Sequence, residues 1–270
     1  MKACLKGTIP TLLEQYQSKN PSANWEQFKN ECQQGYKDVQ ERLQLDQGNL
    51  CCYCEIDTKQ GLGVGNDDFR VEHFHPKSNK SEKSNADNTS RNWALDWQNM
   101  LGCCHGGSIN TVIDNEIRFV PKHAERHSDI LKGNLIWDDE ILNPLKIPAF
   151  PILFQANRRD GSLSVHENNC RDAGIDIEKA TNCLHPEKLN LNSAQLKSLR
   201  KTALDALNKQ IDAALSAGLT IEDAKLNLEN LAKTELQKDD KGHWPRFFTT
   251  IRSYLGKIAE DHLKNINYTG

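Results

Sequence analysis

Cys51-Cys52-Tyr53-Cys54-Glu55 leads to Val71-Glu72-His73-Phe74-His75-Pro76-Lys77, and then to Trp97-Gln98-Asn99-Met100-Leu101-Gly102-Cys103-Cys104-His105. These three stretches decide how the chain reads. Cys51 and Cys54 have the C-x-x-C spacing with which a single turn closes two thiolates on one zinc ion. Such a pair needs further ligands. Cys104 is the third in this reading, with Cys103 and His105 beside it as substitutes. His127 is the fourth, with His123 and His105 behind it. The segment has few large apolar residues, so a metal staple would supply folding energy, about 10–16 kcal/mol in small zinc modules. The competing reading treats the cysteines as small buried hydrophobes. It leaves unexplained why several Cys and His clusters converge on one short region.

Glu72-His73 follows a short predicted strand, Phe69-Arg70-Val71. A carboxylate beside an imidazole divides the work of hydrolysis: Glu72 holds a divalent cation, Mg2+ or Mn2+, while neutral His73 takes a proton from water. Neighbours on a regular strand face opposite ways, so both reach one site only if the strand ends in a distorted loop; Pro76 supplies a reason for one. Asn99 is expected to pin the loop bearing His73 through hydrogen bonds to its backbone. His75 either packs or contacts phosphate. Lys77, Lys80, Lys83 and Arg91 flank this site and Lys132 lies farther on; all are candidates to grip backbone phosphate.

The surrounding chain is of 270 residues with nine cysteines and a formal net charge of −3. That length allows one large domain or two small ones. The charge excludes a globally basic nucleic-acid binder, so such binding must come from a local patch or a partner. An odd cysteine count and an N-terminus without an apolar signal core imply reduced or metal-bound thiols in the cytoplasm. No apolar run approaches the ~18 residues that span a bilayer, so no membrane partner is expected.

Asn24 and Gln27 form a capping box for one amphipathic helix over about 25–46, stopped by Gly48. Gly61, Gly63 and Gly65 mark a turn. Residues 150–165 read as a hairpin turning near Asp160-Gly161. Three helices follow. One runs from Asn192 or Ser193 to Gly218, one from Thr220 to about Lys238, and one follows Pro245 and buries Phe248, Ile251, Leu255 and Ile258. The expected organisation is an N-terminal helical segment (1–47), a central core (48–148) and a hairpin with C-terminal helices (149–270), an α+β fold.

The order of motifs resembles the HNH nuclease superfamily, and more closely the PtuB-like family of the Septu anti-phage system, whose members also accompany retrons. The matching pieces are Cys52-Tyr53-Cys54-Glu55 with Cys51 in front, Glu72-His73-Phe74-x-Pro76-Lys77, Trp97-x-Asn99-Met100-Leu101, Cys104-His105-Gly106-Gly107 and Asp129-x-x-Lys132-Gly133. The resemblance implies a zinc-stapled ββα-metal core among packed helices, with His73 as general base, Glu72 and Asp129 as ligands of the catalytic cation, and Asn99 as the orienting residue. Cys51, Cys54 and Cys104 match zinc ligands. Ser128 stands where the family places a further Cys, so His127 or a member of Cys103-Cys104-His105 has to replace it. The implied partners are a PtuA-like ABC/SMC-type ATPase and, in retrons, a reverse transcriptase with its RNA–DNA product. The implied activity is phosphodiester hydrolysis, most directly of DNA; a non-catalytic zinc module and an RNA-cleaving toxin are the alternatives.

Overall fold

The computed structural model describes residues 1–58, 69–77, 91–110, 118–216 and 220–270. The Gly61/Gly63/Gly65 turn, Lys80, Lys83 and the helix stop at Gly218 lie outside them. At the centre is a short antiparallel pair, β1 (Arg70–His73) and β2 (Met100–Cys103). Arg70 lies opposite Cys103, Glu72 opposite Leu101 and His73 opposite Met100. A second small ladder, β3 (Ile109–Asn110) with β4 (Arg118–Phe119), follows.

Three helices cover one face of the β1–β2 pair: α1 (Thr11–Lys19), α2 (Trp25–Glu31) and α3 (Gln33–Gln47). The capping box at Asn24 and Gln27 forms, with both hydrogen bonds present. The single helix expected over 25–46 does not. Cys32 leaves helical geometry (φ −130°, ψ 58°) and divides it. The reason is aromatic packing. In one straight helix Trp25 and Tyr36 would lie about 16 Å apart along the axis; with the break their rings meet edge to face at 5.7 Å, and Trp25 also meets Phe28 at 5.4 Å. This layer buries Leu13, Phe28, Val39 and Leu43 against Leu95, Trp97 and Met100.

Beyond the central strands, β5 (Phe154–Ala156) and β6 (Leu163–Val165) form the expected hairpin. Two short helices that the pattern did not announce follow it, α4 (Glu167–Asp172) and α5 (Ile177–Leu184). Next come α6 (Ala194–Leu215), capped by the Ser193 side chain, and α7 (Ile221–Glu235), capped by a Thr220/Asp223 box. The last expected helix is two, α8 (Phe248–Leu255) and α9 (Lys257–Asn265), because Gly256 turns the chain at φ 58°. These helices share a core of Leu204, Leu207, Phe248, Ile251 and Leu263. Glu55 joins this layer to the centre: its carboxylate accepts from the Thr249 amide (2.8 Å) at the start of α8, where a negative charge offsets the helix dipole. No helix among the described residues is long and apolar enough to cross a membrane.

Gly161 fixes how the hairpin meets α6. It has φ 73°, and a Cβ there would lie 2.2 Å from the Lys197 carbonyl and 2.8 Å from the Lys201 amide. Its own carbonyl accepts from the buried Arg200 guanidinium at 3.1 Å. Gly161→Ala is therefore expected to cost about 1–3 kcal/mol of stability, read as a lower midpoint in urea unfolding.

Candidate active site and metal centre

The turn after α3 carries the first thiols. The Cys52 amide donates to the Gly102 carbonyl (3.0 Å), which ties this turn to β2 and sets its sulfurs beside those of Cys103 and Cys104. Cys51 Sγ lies 3.6 Å from Cys103 Sγ, and Cys54 Sγ lies 3.6 Å from Cys104 Sγ. Two buried groups result, Cys51/Cys103/Cys104 and Cys54/Cys104/His127. Within each, the ligand atoms lie within 4.8 Å of one another. Cys104 belongs to both.

These residues fit a zinc ion. Thiolates at about 2.3 Å from a tetrahedral zinc are about 3.8 Å apart, close to the separations found. His127 is fully buried, and its Nε2 has no hydrogen-bond partner. Ser128 Oγ sits between the groups, 3.8 Å from Cys51 Sγ, 3.6 Å from Cys104 Sγ and 3.1 Å from His127 Nδ1. Burial opposes ionisation of Cys51, but hydrogen bonds from Cys103, Cys104, Cys52 and Cys54 outweigh it and bring this thiol well below its ordinary value. Cys51, Cys54, Cys104 and His127 thus fall into one buried cluster, joined by Cys103. His105 and His123 belong to neither group, and His123 is exposed.

Beside the thiols lie two carboxylates. The pleat places Arg70 and Glu72 on one face of β1. Glu72 faces Asp129, which the turn at Ser128 (φ 60°) brings in from a segment far along the chain. Burial raises the Glu72 carboxyl well above its usual range. The charge of Asp129 and the hydrogen bond between the two acids add to this, against the pull of Lys132. Arg70 pairs with Asp129, and the Cys103 thiol donates to Asp129 Oδ1 at 2.8 Å.

Lys132 requires a correction. Expected to grip phosphate, it is 1% exposed. Its ammonium is bound to Glu72 Oε1, to the His73 carbonyl (2.6 Å) and to the Phe74 carbonyl (2.8 Å). A buried ammonium needs such partners, and with them it cannot reach a strand outside. One carboxylate and two carbonyls are also the hard oxygen donors that suit a divalent cation. Together with Asp129, the donor set fits such an ion in kind; here Lys132 and Arg70 supply the positive charge.

His73 faces the other way. Its ring meets Trp25 edge to face at 4.8 Å, and its Nε2 is 3.0 Å from the Ala94 carbonyl. Burial, over the opposing bond to Ala94, lowers its pKa to about 3, which keeps the imidazole neutral. Asn99 clamps residue 75 rather than residue 73. Its Oδ1 accepts from the His75 amide (2.7 Å), and its Nδ2 donates to the carbonyls of His75 (2.8 Å) and Trp93 (2.9 Å). Lys77 is on the surface, 3.4 Å from Glu26. Arg91 is on the surface too, over the Trp93 ring at 4.2 Å.

Two residues that the sequence reading did not assign complete this picture. Arg70 shares a strand face with Glu72, which the period of two could have revealed. Asp138 binds His75 from 63 positions away, and no local pattern marks it.

No family model matches the chain. An Escherichia coli protein named "Retron Ec83 putative HNH endonuclease" is 31% identical to it over 274 residues, covering 97% of this chain and 96% of that one.

Two substitutions separate the roles of the buried groups. Cys54→Ser should remove most of the bound zinc, measured by metal analysis of the purified protein, and lower the melting temperature by about 10 °C or more. Lys132→Met leaves Glu72 buried without its cation and should cost about 3–5 kcal/mol, whereas Lys77→Ala should leave the unfolding midpoint unchanged.

Proposed function

Because the chain belongs to the HNH endonuclease family of its retron relative, we propose that it is a metal-dependent endonuclease hydrolysing phosphodiester bonds, with DNA as its substrate. The observation that carries this reading is the meeting of Glu72 and Asp129, from separate segments, beside a buried Cys/His cluster on the β1–β2 pair. This arrangement supports the ββα-metal core that the motif order implies. A bound Mg2+ or Mn2+ would neutralise charge on the scissile phosphate and leaving oxygen.

The chain's own groups do the rest. The Nε2–H of His73 donates to the Ala94 carbonyl, which leaves Nδ1 with the lone pair. The motif order assigns His73 to take the proton of a water whose oxygen bonds to phosphorus, while the bond from phosphorus to the leaving oxygen breaks and solvent protonates that oxygen. Because its ring lies on the face of β1 opposite Glu72, this role requires the end of the strand to turn His73 toward the acids on substrate binding. Asn99 fixes the loop that follows β1. Lys77 and Arg91, on the surface, hold the flanking phosphates. In the cell the protein acts in the cytoplasm as the nuclease of an anti-phage complex, with a PtuA-like ABC/SMC-type ATPase or a retron reverse transcriptase and its RNA–DNA product. A second reading, a non-catalytic zinc module, draws on one observation: Lys132 already neutralises Glu72.

The test is cleavage of plasmid DNA and of total RNA with Mg2+ or Mn2+, with and without these partners. Glu72→Gln and His73→Ala should each lower cleavage at least about a hundredfold with zinc content unchanged. Full activity in both variants would overturn the site assignment. No cleavage in any mixture, with zinc bound, would favour the non-catalytic module, and cleavage of RNA alone would replace DNA as substrate.

A further inference from the structure

One zinc ion on Cys51, Cys54, Cys104 and His127 leaves sulfur unused. Five thiols and an imidazole meet in this cluster, all of them buried, and a single tetrahedral zinc takes four donors. The four expected ligands also do not form one set. Among the described residues the close groups are two triads, Cys51/Cys103/Cys104 and Cys54/Cys104/His127, and no group holds Cys51 together with Cys54. The measured sulfur contacts repeat that division. Cys51 Sγ is 3.6 Å from Cys103 Sγ, and Cys54 Sγ is 3.6 Å from Cys104 Sγ.

The remaining contacts show how the triads join. Cys104 belongs to both. Cys51 is hydrogen-bonded to Cys52 and Cys103 on one side and to Cys54 on the other. Cys52 is in turn hydrogen-bonded to Cys103. Cys51 and Cys104 are therefore central, with Cys52 and Cys103 at one end and Cys54 and His127 at the other. A thiolate sulfur has lone pairs enough to bind two ions. If the two central sulfurs are shared, each end has four donors, the number that a structural zinc takes. The His127 end adds a nitrogen with no other use, since its Nε2 is buried without a partner. All six donors are of the soft or borderline kind that zinc prefers to magnesium.

We propose that the cluster holds two zinc ions bridged by the Cys51 and Cys104 thiolates, one completed by Cys54 and His127 and the other by Cys52 and Cys103. Each thiol that binds zinc releases its proton to solvent. The second dication and the two thiolates it recruits cancel, so the larger centre buries no more net charge than a single-ion one. Cys103, which here donates to Asp129 at 2.8 Å, gives up that proton to the ion, and Asp129 keeps its pairing with Arg70.

The test is metal analysis of the full-length protein, purified with reductant and freed of loosely held metal. About two zinc ions per chain are expected in the parent and in Glu72→Gln, and about one in Cys103→Ala and in Cys52→Ala. Protein carrying Co2+ in place of zinc reports the bridge. Ions joined by thiolates couple magnetically, so the electron paramagnetic resonance signal per cobalt should fall well below that of the one-cobalt Cys103→Ala. One zinc per chain in the parent, two retained in both cysteine variants, or an undiminished signal per cobalt would each overturn the proposal. Loss of one ion in Glu72→Gln would put the second ion at the acids and overturn it as well. The readout does not depend on cleavage: two coupled ions in a protein that cuts nothing would support the proposal and count against the nuclease.

Discussion

A buried ammonium needs acceptors on every side, and Lys132 finds all of its own on one segment: the Glu72 carboxylate and the carbonyls of His73 and Phe74. This interaction holds the turn after Ser128 against the end of β1. Through that turn come Asp129 and then His127, so the carboxylate pair and the thiol cluster both depend on it. The energetics are asymmetric. The intact network gains little over a well-packed apolar core, but removing one member strands the remaining charge. Arg70 plays the matching part for Asp129, and neither acid is left to bear its charge alone.

The strand pleat then sorts the motif. Glu72 and His73 are adjacent in sequence, yet the alternation of β1 sends one toward Asp129 and the other toward Trp25. Two chemistries come from one dipeptide. The acid sits among hard donors and cations, while the imidazole is kept neutral in an aromatic layer. Asn99 then fixes the chain where it leaves the strand, and it acts on the backbone of residue 75, so the loop conformation does not depend on what the His75 side chain binds.

Local signals were legible in the sequence where local physics governs. The caps at Asn24, Ser193 and Thr220 satisfy amides a few residues away, so their pattern is written in neighbouring positions. The break at Cys32 was not legible, because the ring contact that rewards it is tertiary. Lys132 was misread for a related reason: lysine is seldom buried, and only the distant Glu72 makes its burial tolerable. The cysteine spacing pointed to the cluster, but the choice among Cys103, Cys104 and His105 needed the pairing of β1 with β2. The dyad of His75 and Asp138 left no trace in local pattern, since its partners are joined only by the folded chain.

The replacement of the expected cysteine by Ser128 has a consequence for both centres. Its side chain is too hard a donor to compete for zinc with thiolates, and it touches Cys51, Cys104 and His127 without displacing them. His127 is thereby the side chain of this segment that fits a soft metal, with one nitrogen on Ser128 and the other without a partner. Cys103 meanwhile donates a hydrogen bond to Asp129, so the thiol next to the cluster positions the acid next to Glu72. The tripeptide His127-Ser128-Asp129 serves two sites with opposite chemical tastes. Any shift of that turn that spoils the thiol cluster also moves the carboxylate, and the stability of the staple and the geometry of the acids are therefore a single property of the fold.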